Sequence, residues 1–123
     1  MRQISILVAA AALVGVLASS QSAFAQYGAI AYDENTGRYG VTWNHESPRG
    51  ASEDALRRCG TPDCTIRLEI GPGMCGALAT TENRRGWGRY RDRSRESARD
   101  GALEECRRHN FGECFVRVWD CNR

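Results

Sequence analysis

The apolar positions follow two different rules along this chain. From Ile4 to Ala18 they run almost unbroken. From Tyr27 onward they come in short alternating stretches, separated by polar turns. Residues 27–32 predict a short apolar strand, and Asp33-Glu34-Asn35-Thr36-Gly37 predicts a turn, being rich in residues that accept tight backbone angles. Residues 38–44 predict the partner strand, with Tyr39, Val41 and Trp43 on one face. Ser47-Pro48 reads as an N-cap followed by proline at the first helical position. The helix is expected to reach about Cys59, with Ala51, Ala55, Leu56 and Cys59 inward and Gly60 just beyond its end. Cys64 to Ile70 alternates as a third strand.

The same order then recurs. Gly28-Ala29-Ile30-Ala31 matches Gly76-Ala77-Leu78-Ala79, and Tyr39-Gly40 matches Trp87-Gly88 at the same offset. One residue is lost, after which Ser47 matches Ser94, Ala51 matches Ala98, and Ala55-Leu56-x-x-Cys59 matches Ala102-Leu103-x-x-Cys106. The second copy is expected to hold strands near 76–80, 86–91 and 114–119 and a helix near 95–107 capped by Ser94. The fold class is therefore α+β: an internally duplicated β-β-α-β unit with two helices and about six short strands. A hairpin and one helix cannot bury their own apolar faces, so two copies, about 27–75 and 76–123, are expected to share one core about a pseudo-twofold axis, in a single domain spanning 26–123.

The opening run has another meaning. Arg2, a short apolar centre and Ala23-Phe24-Ala25 make a secretory signal peptide over residues 1–25. A membrane anchor would need about 20 apolar residues, and this run is shorter. No cysteine follows Leu17-Ala18-Ser19 and no twin arginine precedes the run, so the expected path is the general secretion route, to the periplasm or the cell exterior. The mature chain would start at Gln26, would not span a membrane and is expected to be a monomer.

All six cysteines lie behind that segment. An even count in an exported chain reads as a disulfide framework. Zinc is disfavoured, because no C-x-x-C pair is present and only His45 and His109 could add nitrogen ligands. No metal and no cofactor are expected. Twofold symmetry leaves seven of the 15 possible pairings, and among these the short reach from each helix end to the next strand favours Cys59–Cys64 and Cys106–Cys114 with Cys75–Cys121, the last joining the ends of the two copies. The rival set is Cys59–Cys75, Cys106–Cys121 and Cys64–Cys114, in which each terminal cysteine folds back onto its own helix.

The pattern resembles the Domain of Unknown Function 4189 family. The resemblance rests on Tyr27-Gly28-Ala29-Ile30-Ala31-Tyr32, Tyr39-Gly40-Val41-Thr42-Trp43, Ala55-Leu56-Arg57-Arg58-Cys59 and Cys75-Gly76-Ala77-Leu78-Ala79 in the first part. Trp87-Gly88, Ala102-Leu103-Glu104-Glu105-Cys106 and Cys114-Phe115-Val116-Arg117-Val118-Trp119 carry it in the second. The second copy departs at Arg91, where the first has Trp43. The resemblance implies an exported bacterial domain and carries over no reaction and no catalytic residue.

Charge narrows the function further. The formal net charge is +2, falling by one when Arg2 is removed, which is not the balance of a dedicated nucleic-acid binder. The basic residues are all arginine. Six of them crowd into Arg84 to Arg95 against one aspartate. Alternation puts Arg85, Trp87, Arg89, Arg91 and Arg93 on one side of a strand and Tyr90 on the other. That row is a candidate anion-binding face, because guanidinium pairs with phosphate and carboxylate; the plain alternative is a solvated hairpin. A tryptophan in the core and arginines in water conflict on one face, so a twist or bulge is expected nearby. The partner would be an unidentified protein or an anionic envelope polymer. His45-Glu46 could do acid–base work but has no evident nucleophile beside it. Gly71-Pro72-Gly73 reads as the linker between copies. The expected function is a non-catalytic binding module. Two alternatives stay open: a secreted effector acting on a host or rival cell, and a small wall- or polymer-modifying hydrolase.

Overall fold

The structure, a computed structural model, describes residues 25–110 and 112–123. The expected leader, apart from Ala25, lies outside the described residues. The elements run β1 (Tyr27–Tyr32), β2 (Tyr39–His45), α1 (Pro48–Cys59), β3 (Thr65–Ile70), β4 (Cys75–Thr81), β5 (Trp87–Asp92), α2 (Arg95–His109) and β6 (Cys114–Cys121). Each β-β-α-β unit makes one antiparallel three-stranded sheet with its first strand in the middle, in the orders β2-β1-β3 and β5-β4-β6. The class is α+β with a duplicated unit.

The repeated Gly-Ala-x-Ala motif has a packing reason. The central strands β1 and β4 are buried along nearly their whole length. Ala29 and Ala31 meet Ala51, Ala55 and Cys59 of α1, and Ala77 and Ala79 meet Ala98, Ala102 and Cys106 of α2. Small side chains on both surfaces let each helix lie close to its sheet. Gly40 and Gly88 extend this. A Cβ at Gly40 would collide with the Ala55 carbonyl, and one at Gly88 with the Cys106 amide. Any other residue there would push the helix away. Leu56, expected inward, is 36% exposed, whereas its counterpart Leu103 packs partly into the second helix–sheet cluster.

The larger side chains point the other way. Ile30, Tyr32 and Ile70 from one sheet and Leu78 from the other form a fully buried cluster, flanked by Tyr39, Val41, Trp43, Leu68, Trp87 and Val118. The layers are thus α1, first sheet, second sheet, α2. The expectation of one shared core is refined: each unit buries its helix alone, and the two share only the space between sheets.

The cores of the helices end differently. Ser47 caps α1 by accepting from the Gly50 amide at 3.0 Å, and Gly60 closes it at φ 79. Ser94 caps α2 in the same way, but Asn110 closes it, its side-chain amide donating to the Cys106 carbonyl at 2.8 Å.

Three disulfides join Cys59 to Cys64, Cys106 to Cys114 and Cys75 to Cys121, and no cysteine is free. The first two tie the end of each helix to the strand that follows. The third has a different place from the one expected. Cys75 is the first residue of β4, in register with Cys121 of β6. It belongs to the second unit and bridges neighbouring strands of one sheet, not the ends of two copies. Its counterpart in the first unit, at the same offset that relates Ala77 to Ala29, is Tyr27.

What does link the units at that end is Asn122. Its side-chain amide donates to the carbonyls of Ile70 and Gly71, its Oδ1 accepts from the Asn44 amide, and its own amide donates to the Met74 carbonyl. The residue is buried with these groups satisfied, which clamps the chain end over the Gly71-Pro72-Gly73 turn.

Candidate functional site

Strand β5 carries the arginine row. The β4–β5 ladder runs in continuous register from Cys75–Asp92 to Thr80–Trp87, so the expected bulge is absent from this pair. The register shifts fall in the β1–β2, β1–β3 and β4–β6 pairs. The conflict between core tryptophan and arginines is resolved sideways. β5 lies at the edge of its sheet and faces β3, the edge of the other. Arg89 Nε donates to the Arg67 carbonyl at 2.7 Å, and Arg91 Nη1 donates to the Glu69 carbonyl at 2.6 Å. Two guanidiniums thereby bond main-chain carbonyls of β3, an edge strand. An unpaired strand edge invites association with other chains, and charged groups laid across it oppose this.

Trp87 is half-buried between these groups. Its ring centroid lies 5.5 Å from that of Tyr32, and the guanidinium carbons of Arg67 and Arg89 stand 4.9 and 5.3 Å from its own centroid. Cation–π contacts of this kind contribute about 0.5–1 kcal/mol each when exposed. Carboxylates hold both cations: Arg67 pairs with Glu34 at 2.7 Å and Arg89 with Glu105 at 2.7 Å. Burial pushes the Tyr32 hydroxyl up to about 12, against the opposing pull of Arg117. The phenol is neutral, and its oxygen has no hydrogen-bond partner among the described residues.

The row therefore divides. Arg89 and Trp87 belong to the packing between units. Arg85, Arg91 and Arg93 remain exposed, and no described carboxylate lies within the 4.0 Å of an ion pair with them. Two shallow grooves adjoin. One, of about 340 Å³, is lined by Glu34, Arg85, Trp87, Arg89, Glu105 and His109 among others. The other, of about 560 Å³, lies along the edge between Arg67 and Arg91. Tyr90 faces the opposite side, against Gly101 of α2. Arg67, Glu34 and Glu105 carried no signal in the sequence, because they reach the row only through the stacking of units or the return of α2.

His45 takes a different partner from the one beside it in sequence. Its Nε2 lies 3.2 Å from Asp54 Oδ2, while Glu46 is exposed. Asp54 also accepts from Arg57 and Arg58, and the Arg57 bond leads in holding its carboxyl below the usual range. Asp33 is the other organised acid. It is buried and accepts from Thr61 Oγ1 at 2.6 Å, Thr36 Oγ1 at 2.8 Å and the Asn35 amide at 2.9 Å. The Thr61 bond, then that from Thr36, holds its carboxyl low. No group of three or more metal-ligating side chains occurs among the described residues, and none of the described helices is long and apolar enough to cross a membrane.

A family profile described as a domain of unknown function, DUF4189, matches residues 27–121. Protein Rv1269c of Mycobacterium tuberculosis is 30% identical over 96 residues, covering 78% of this chain and 69% of that protein. Protein Mb1300c of Mycobacterium bovis matches to the same extent. Among solved structures, the NMR structure of Rv1813c from Mycobacterium tuberculosis is similar, with a TM-score of 0.59 at 28% identity over 79% of this chain and 75% of that one.

Proposed function

The chain belongs to the DUF4189 family, and on that premise we propose that it is an exported, non-catalytic binding module whose β5 edge takes up anionic groups of an envelope polymer or a protein partner. The observation that carries the reading is the division of the arginine row. Arg89 is spent on structure and Arg91 gives one bond to the Glu69 carbonyl, while Arg85, Arg91 and Arg93 are all exposed with no described carboxylate paired to them. Guanidiniums left in this way, beside a half-buried tryptophan and an open groove, are placed to meet phosphate or carboxylate. Export by the general secretion route to the periplasm or beyond is supported by the leader-like residues 1–25 and by six cysteines closed in three bridges.

Binding of this kind is weak and screened by salt. The test is a titration of the mature protein with a sulfated or phosphorylated polysaccharide at low and high ionic strength. Binding at low salt should fade as salt rises. It should be lost in a variant carrying Arg85→Ser, Arg91→Ser and Arg93→Ser together, with circular dichroism unchanged. Arg89 is left intact, since its loss would disturb packing. Binding indifferent to both salt and substitution refutes the proposal.

A further inference from the structure

We infer that the exported chain carries a modified end: Gln26, released as the first residue by cleavage after Ala25, closes to pyroglutamate. This inference rests on the export reading above. In an N-terminal glutamine the α-nitrogen and the side-chain carboxamide carbon close a five-membered ring. The α-amine attacks Cδ, the new N–Cδ bond forms, and the Cδ–Nε2 bond breaks. The amide nitrogen leaves as ammonia, carrying the proton that the α-amine gives up. No oxidant, reductant or further reactant enters, and the tether supplies the proximity that makes such closures favourable.

The placement of Gln26 suits this. Ala25 and Gln26 precede the first strand, and Ala25 is exposed. Pairing begins at Tyr27, which is in register with His45. Gln26 is therefore the last residue before the ladder, and its backbone is in no strand. Its side-chain Oε1 is buried without a hydrogen-bond partner among the described residues. No hydrogen bond from the described residues holds that oxygen, so ring closure breaks none at Oε1. Closure keeps the carbonyl, removes the primary amide and replaces the α-ammonium that cleavage creates with a neutral lactam. The product has no free amine for an aminopeptidase to recognise, so the lactam protects the exposed end of a strand whose first paired residue is the next one along.

The experiment is intact-mass analysis of the full chain after export from a bacterial host, with the three disulfides kept. The expected species is residues 26–123 less one ammonia. It should resist a general aminopeptidase and be opened by pyroglutamyl peptidase. A Gln26→Ser chain, exported in parallel, should show a free amine and no ammonia loss. A species beginning at Gln26 that keeps its ammonia and its free amine after prolonged incubation overturns this inference alone. A chain that begins elsewhere, or that retains Met1, overturns the export reading together with it.

Discussion

In the first unit the tip of the β1–β2 hairpin is organised by a buried carboxylate; in the second the same place is held by a hydroxyl. Asp33 gathers three side-chain or amide donors and ties the tip to Thr61, in the loop closed by Cys59 and Cys64. Its counterpart Thr81, among the described residues, exchanges side-chain bonds within its own turn, with Asn83 and Gly86. Elsewhere the balance reverses. The first unit presents Tyr39, Val41 and Trp43 to the space between sheets, and the second presents Trp87, Arg89 and Arg91 at the equivalent positions. The second unit alone has a bridge between its central and last strands. Beyond the helix-to-strand bridge that each unit carries, the first is fastened by hydrogen bonds and apolar contact and the second by an additional covalent clasp.

Opening the Cys75–Cys121 bridge should cost the most. Cys75 and Cys121 are 46 residues apart, so on the chain-entropy account their bridge contributes about 4 kcal/mol. Cys59 and Cys64 are separated by 5 residues, and Cys106 and Cys114 by 8, for which the same account gives about 2 kcal/mol each. Paired serine substitutions, compared by denaturant unfolding under non-reducing conditions, should rank in that order. Equal losses for all three pairs would show that the clasp has no special place. Digestion without reduction, followed by mass mapping, checks the pairing itself: a peptide joining Cys64 to Cys114 would overturn it.

The next effect is smaller and concerns the arginine that replaces an apolar residue. Arg89→Ala removes the donor to the Arg67 carbonyl and the partner of Glu105. The guanidinium is partly solvated, so the expected loss is about 1–2 kcal/mol, at or below the lower end of the range for a hydrogen bond to a charged group. Arg91→Ala, at a more exposed site with one bond, should cost less than half as much. If Arg91→Ala costs as much as Arg89→Ala, the division between a structural and a solvent-facing arginine is wrong.

The duplicated pattern was readable because it depends on neighbours in sequence. Period-two alternation, serine caps and the glycine after α1 place each strand and helix within a residue or two of where it lies. What escaped depends on contacts between units. Alternation correctly puts Arg89, Arg91 and Trp87 on one side of β5, but not what lies opposite, which is a strand edge some 22 residues earlier in the chain. Cys75 was misplaced because a cysteine just before the second Gly-Ala-x-Ala can be read as an end or as a beginning. Only its register with Cys121 decides this. Leu56 lies at the margin of the inner stripe and is 36% exposed, although Leu103, at the same place on an equally alanine-lined helix, packs partly into its cluster.

The smallest effect separates the hairpin tips by pH. The Asp33 carboxyl is held below its ordinary value of 3.8, chiefly by the Thr61 bond. A carboxyl whose folded value is depressed binds its proton more readily in the unfolded chain. Its contribution is fully present above the unfolded value and is lost as pH falls through the folded one. The protein should therefore lose stability on acidification from about pH 5 toward pH 2, a window that follows from the Asp reference value. Asp33→Asn should be less stable at neutral pH and show a shallower fall. Some fall should remain, because Asp54 and Glu96 are also held low by arginine and hydroxyl partners. Thr81→Val, at the equivalent tip, breaks bonds of similar number but carries no titrating group. Its cost should be the same at pH 7 and pH 3, within the spread expected of about 0.5 kcal/mol for independent sites. Thermal unfolding of the two variants against the parent across that range tests the contrast. If Asp33→Asn parallels the parent throughout, the carboxylate hub does not distinguish the first unit from the second.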